Sequence, residues 1–175
     1  TPQKIASEMK YGSQIFTDVM IPRALWVFYV KKQSDGKRTL YKANIFTLDS
    51  LSPFSMTMPM YEWFLNNHGM GYYGICWGSN NIQKIIDGDY ANFTSLTSVY
   101  LSSIFNDHLP PASTRSSDFY ALLSDEDKKN CPTSGMPVFL YVLQKVKMLP
   151  DRVLRKRTET PQTIIADFLS GRGNT

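Results

Sequence analysis

The sequence predicts an α+β fold in which an N-terminal antiparallel β-hairpin or small sheet packs with a mainly helical C-terminal half. Three observations predict it. Residues 25–47 hold two runs rich in β-branched and aromatic side chains on either side of an Asp35-Gly36 turn. From about residue 80 onward, apolar residues recur at spacings of three and four, the period of an amphipathic helix. Of the 175 residues 42% are hydrophobic, 23 are aromatic and only 19% are charged. That is too apolar for a disordered chain and enough for one core without metal or disulfide staples. No internal repeat or linker divides the chain. Residues 1–175 read as a single domain, with flexible ends expected at 1–10 and 170–175.

The first strand is Leu25-Trp26-Val27-Phe28-Tyr29-Val30. Both of its faces carry large apolar groups, so it is expected inside the sheet or under a helix. Residues 39–47 form the second strand, and Asp35-Gly36 supplies the positive φ of a tight hairpin turn. Residues 55–60 alternate with period two, but Pro59 confines them to an edge or a strand end. Residues 60–65 read as a short helical turn. Gly69, Gly71, Gly74 and Gly78 then space out Tyr72, Tyr73, Ile75 and Trp77, which suggests a short strand between turns.

Asn80 or Asn81 caps a short helix through Ile86 that ends near Gly88. Phe93, Leu96, Tyr100 and Ile104 lie on one stripe of a helix over residues 91–106, closed by Pro110-Pro111. Another helix starts at Ser117 or Asp118, with Phe119, Leu122 and Leu123 inward and Asp125-Glu126-Asp127-Lys128-Lys129 outward. Residues 135–149 form the next, with Pro137 tolerable in its first turn. The last covers residues 160–169, with Pro161 at its first position and Gly171 beyond its end.

Recognisable chemistry is sparse. There are two histidines and two cysteines; His68 and Cys76, like His108 and Cys131, lack any metal-site spacing. Residues 69–74 fit G-x-G-x-x-G by letter, yet a strand-like run follows them where a dinucleotide fingerprint needs a helix. Asp151, Arg155 and Lys156 resemble the start of a metal-dependent nuclease site, but Leu154 stands where the second carboxylate belongs. Asp87-Gly88-Asp89 and Asp107-His108 read as turn formers and caps. Tyr11-Gly12-Ser13-Gln14 lacks the second glycine of a nucleophile elbow. No catalytic residue, metal, cofactor or small-molecule substrate is expected.

Targeting signals are equally sparse. No run reaches the roughly 18 apolar residues of a membrane span. Thr1-Pro2-Gln3-Lys4 is not followed by the apolar core of a secretory signal, and two unpatterned thiols suit a reducing compartment. The expected place is cytoplasmic, which is compatible with incorporation in a virion.

Charge placement is the informative feature. The chain carries a net charge of +4. Residues 1–50 hold 8 basic and 4 acidic side chains, residues 51–144 hold 4 and 8, and residues 145–175 hold 7 and 3. Lys145, Lys147, Arg152, Arg155, Lys156 and Arg157 crowd together, opposed only by Asp151, and form the candidate polyanion-binding surface. Met56, Met58, Met60, Trp63, Tyr72, Tyr73 and Trp77, with Asp125, Glu126 and Asp127, form the candidate self-association surface, an apolar contact registered by charge.

The function this profile predicts is that of a non-enzymatic, self-associating structural protein. A viral matrix or capsid protein is the kind meant, contacting other copies of itself and nucleoprotein, RNA or an acidic membrane. A small RNA-binding regulator is the alternative, and a metal-dependent nuclease the third.

Overall fold

The computed structural model describes residues 1, 3–64, 67–68, 74–75, 77, 80–88, 90–105 and 115–170. The fold is mixed α+β. Strands β1 (Lys4–Tyr11) and β2 (Gln14–Ile21) pair antiparallel, with Tyr11 opposite Gln14 and Gly12-Ser13 as the two-residue turn. Gly12 adopts φ +55°, which a residue without Cβ reaches freely. Residues 4–10, expected as part of a flexible end, lie in β1. Met9 and Phe16, opposite one another, are buried, and the Thr1 carbonyl accepts the Ala24 N–H at 3.0 Å.

Strands β3 (Ala24–Lys32) and β4 (Arg38–Leu48) form the expected hairpin, with Leu25 opposite Phe46 and Lys31 opposite Thr39. Gly36 sits at φ +86°, and the Asp35 carboxylate accepts the Lys37 N–H at 2.9 Å. Tyr29 faces Lys42 while Val30 faces Leu40, so Tyr41 is the extra residue of a bulge. Strand β5 (Met60–Glu62) pairs with the other side of β4. Thus β3 is an edge strand, not an interior one. Its two apolar faces are nonetheless both covered, Trp26 and Phe28 by the main core and Leu25 and Val27 by a second cluster.

Two further expectations are corrected here. Residues 55–59 are not an edge strand but contain a turn, closed by the Met58 N–H to the Ser55 carbonyl at 3.2 Å, and the strand begins only at Met60. Residues 60–62 are strand, not helix, because β4 offers them a ladder and the donor-less Pro59 has been passed. Beyond them, β6 (Asn67–His68) and β7 (Gly74–Ile75) make a two-stranded ribbon. Gly74 thus enters a strand and opens no helix.

Helix α1 (Gln83–Asp87) follows an Asn81 side chain that accepts the Gln83 N–H at 3.2 Å. A 3-10 turn, Tyr90–Phe93, leads into α2 (Thr94–Leu101). The helix expected to reach residue 106 stops at Leu101. The Ser102 and Ser103 hydroxyls bond the Val99 carbonyl at 3.1 and 2.8 Å, competing with the helical ladder. Then β8 (Ile104–Phe105) pairs parallel with Lys10 and Tyr11. Phe105 is buried, and Ile104, expected on the inward stripe, is exposed. Pro110-Pro111 lies outside the described residues.

The acidic helix is two helices, α3 (Ser116–Tyr120) and α4 (Asp125–Lys128). Ser124 caps α4, its hydroxyl accepting the Asp127 N–H at 3.1 Å. Helix α5 (Met136–Lys145) starts after Gly135, at φ +73°, and ends four residues before the expected Leu149. Val146 is extended, and the chain turns so that Leu149 is buried. Helix α6 (Pro161–Leu169) opens on a capping box in which Thr160 and Thr163 exchange side-chain-to-backbone bonds of 2.8 and 3.3 Å.

The main apolar cluster draws Met9 and Phe16 from the first hairpin, Trp63 and Phe64 from the chain after β5, Tyr100 from α2, and Phe119 and Phe139 from α3 and α5. Phe119 meets the rings of Phe64 and Phe139, each at 4.7 Å between centroids. The Trp63 indole donates to the Tyr100 hydroxyl at 3.0 Å, which gives both buried polar tips a partner. The second cluster, on the opposite face of β3–β4–β5, joins Phe46, Leu48, Met58 and Met60 to Ile164 of α6. Among the described residues no helix is long and apolar enough to cross a membrane.

Candidate functional site

The basic stretch at 145–157 is built into the fold. Lys145 meets Asp127 at 3.1 Å, a hydrogen bond that raises the lysine pKa. The Ser124 hydroxyl and then Lys145 lower that of Asp127. Arg155 and Arg157 converge on the buried carboxylate of Glu62, at 3.8 and 3.3 Å, and Arg157 also pairs with Glu159. The backbone follows suit. The Glu62 N–H donates to the Arg155 carbonyl and the Arg157 N–H to the Met60 carbonyl, both at 2.8 Å, while Lys156 bridges Tyr61. The segment therefore extends the sheet beyond β5. Asp151, the lone acid of the stretch, accepts the Tyr61 hydroxyl at 2.7 Å. Burial and that hydrogen bond push the Tyr61 pKa up to about 12. Lys147, Arg152 and Lys156 remain exposed, whereas Arg157 is turned partly inward.

The acidic partners are also engaged within the chain. Asp125 pairs with Lys128 at 3.1 Å, Glu126 with Lys129 at 2.7 Å, Asp127 with Lys145, and Asp118 with Arg115 at 3.4 Å. Of the apolar candidates, Met58, Met60 and Trp63 are interior and cannot touch another copy while the fold is intact. Trp77 is half-buried against the Tyr100 ring, and Met56 is exposed. Tyr72 and Tyr73 lie outside the described residues.

Two other surfaces come into view. On the outer face of the β2–β1–β8 sheet, Ile15, Lys10 and Ile104 stand in one register row, with the isoleucines 58% and 59% exposed. Beside them Lys4, Ile5, Ala6, Ser7 and Glu8 line a shallow groove of about 250 Å³ with Ser98, Leu101 and Ser102. Five consecutive residues along one wall mark a strand edge, since a strand face would contribute only alternate residues. Gly12-Ser13, a two-residue turn between apolar-containing runs, is the sequence signal for this hairpin.

The second surface is the tip of the β3–β4 hairpin, with Lys31, Lys32, Lys37, Arg38 and Lys42. Among the described residues the ion pair in this set is Lys37 with Asp35, at 3.5 Å. The Arg38 guanidinium lies 4.2 Å over the Tyr90 ring and donates to the Gly88 carbonyl. Lys42 stands 5.5 Å from the Tyr29 ring, and burial lowers its pKa. The bulge brings Tyr41 into a cleft of about 460 Å³ lined with Tyr29, Val30, Lys31 and Phe168. The cations at 31–38 stand in the sequence between the two strand runs.

The nuclease-like residues do not assemble. Leu154 is buried, and Asp151 is taken by Tyr61. Among the described residues no group of three or more His, Cys, Asp or Glu side chains gathers in reach of one metal ion. Cys131 is buried, which pushes its thiol pKa up. Comparison with protein-family models, curated proteins and solved structures finds no match to this chain.

Proposed function

We propose that this chain is a non-enzymatic structural protein that associates with copies of itself and holds an anionic partner on its basic surface. The observation that carries it is the outer face of the first sheet, where Ile15 and Ile104 flank Lys10 beside the strand edge at Lys4–Glu8. Large apolar side chains in register on an exposed sheet, next to backbone groups with no neighbouring strand among the described residues, are a template for a second strand. The edge sequence Lys4-Ile5-Ala6-Ser7-Glu8 is self-complementary. Paired antiparallel about Ala6, Lys4 of one copy faces Glu8 of the other.

Such a contact is two-fold and closes a dimer. Asp125 and Glu126 of one dimer, whose pairs with Lys128 and Lys129 are exposed and exchangeable, and the exposed Lys147, Arg152 and Lys156 of the next supply the charge that joins dimers into layers. The sheets, packed with the C-terminal helices, are the platform that presents both surfaces. The class this fits is that of viral matrix and capsid proteins acting in the cytoplasm. A small RNA-binding regulator is the second reading, favoured by the cations of the β3–β4 hairpin.

Sedimentation velocity tests the assembly. The chain grows with concentration, and Ile104→Lys, on the strand that shares the open side of β1, lowers association. Lys4→Glu weakens association by placing like charges opposite, and Glu8→Lys added to it restores association. A single monomer peak up to the millimolar range, or failure of the double reversal to rescue, overturns the edge contact.

A further inference from the structure

We infer that the ridge made by α6 and the bulged β3–β4 hairpin docks on the surface of an acidic lipid bilayer. Pro161 and Ile164 turn inward on α6, and Ile164 joins the second cluster. Ile165, Phe168 and Leu169, at spacings of three and one, are 49%, 42% and 77% exposed. They form an outward apolar stripe on a nine-residue helix, far too short to span a membrane but suited to lie at its interface. Tyr41, 51% exposed, prolongs the stripe across the sheet, because the bulge places it in the cleft with Phe168. A tyrosine at such an edge has a ring for the acyl boundary and a hydroxyl for the headgroups.

The charge around the ridge selects the lipid. Lys31 lines the cleft, Lys42 stands over Tyr29, and Lys32 is exposed beside them. Asp167 of α6 lies close enough to Tyr29 to act on it electrostatically, and Asp35 is paired with Lys37. Anionic headgroups meet these lysines while acyl chains receive the stripe, the two signals that together give stable surface binding. A single-stranded nucleic acid would use the cations and the aromatic faces, yet has no use for the aliphatic Ile165 and Leu169. Docking on a bilayer rests on the polyanion contact proposed above and adds insertion to it.

The test uses the full chain and vesicles of phosphatidylcholine, with or without about one-third phosphatidylserine, with a single-stranded RNA as a separate arm. Binding is expected only to the serine-containing vesicles and weakens with salt. Leu169→Trp is expected to add a fluorescence component that shifts to the blue on binding. Ile165→Ser with Leu169→Ser, two exposed positions, lowers vesicle binding by about tenfold or more, with the circular dichroism spectrum retained. Adding Phe168→Ser lowers it further. Lys31→Glu with Lys32→Glu flattens the salt dependence. Salt-sensitive binding that the serine variants leave intact overturns docking but keeps the polyanion contact. No binding to vesicles or RNA overturns both. RNA binding lost on Tyr41→Ala, with vesicles ignored, assigns the surface to nucleic acid.

Discussion

The two basic stretches of this chain, the hairpin tip at 31–42 and the segment at 145–157, look alike in sequence and differ in what the fold makes of them. In the C-terminal stretch, Arg155 and Arg157 close on the buried Glu62, and Lys145 on Asp127. In the hairpin, Lys31 and Lys32 stand in solvent, and Arg38 packs on an aromatic ring. A cation answered by a carboxylate across a sheet holds the fold together. One left at a hairpin tip remains available to a partner. Net charge counted along a chain therefore does not measure the charge a surface presents.

The sharpest way to break the comparison is at Glu62. Replacing it with Ala leaves Arg157 partly buried with only Glu159 and removes the ion pair that fastens the C-terminal segment to β5. Stability is expected to fall by about 3 kcal/mol, the low end for a broken buried pair, because Arg155 is exposed. Reversing Lys31 and Lys32 to Glu changes stability by less than about 0.5 kcal/mol, as befits a surface. Urea unfolding of both variants checks the contrast. Equal losses would erase the distinction between the two stretches.

The hairpin in turn depends on its backbone. Gly36→Val, at φ +86°, is expected to cost about 1–2 kcal/mol, because a β-branched side chain strains the left-handed region. An unchanged melting curve would show that the turn tolerates a side chain. For anion binding, Lys31→Glu with Lys32→Glu should reduce heparin affinity about tenfold and lower the salt slope. Arg155→Glu with Arg157→Glu should instead act mainly through stability. Fluorescence anisotropy beside a melting curve separates the two.

The smallest effect is a titration. Tyr61 keeps its proton up to about 12 in the folded chain, because burial and Asp151 both disfavour phenolate. Its folded pKa lies above the unfolded value of about 10. The stability it contributes is thus complete below that value and is lost as pH rises between the two. Ultraviolet titration should find a late-titrating tyrosine that is missing from Tyr61→Phe. A phenol that ionises with the bulk of the tyrosines would mean that the tie from Asp151 to β5 is absent.

By itself the sequence determined the features whose causes lie within a few residues of one another. Asp35-Gly36 specified the second hairpin, and the Thr160-Pro161 start specified α6. The unbroken apolar run of β3 announced two covered faces and left open whether sheet or helix would cover them; the structure puts β3 at the sheet edge, with Ile164 of α6 in the cluster on one face and the main core on the other. What only the tertiary structure decided are contacts between distant residues. Ser102 and Ser103 loosen the end of α2 locally, but that residues 104–105 then become strand depends on Lys10 and Tyr11, far along the chain, which no periodicity over residues 91–106 could announce. Residues 60–62 become strand because β4 has an open side, and the cations at 155–157 become structural because Glu62 is there to receive them. Local propensities differ by tenths of a kcal/mol per residue, while burying a Phe is worth several times that, and so is the cost of leaving a buried charge unpaired. Where the two compete, the long-range contact prevails.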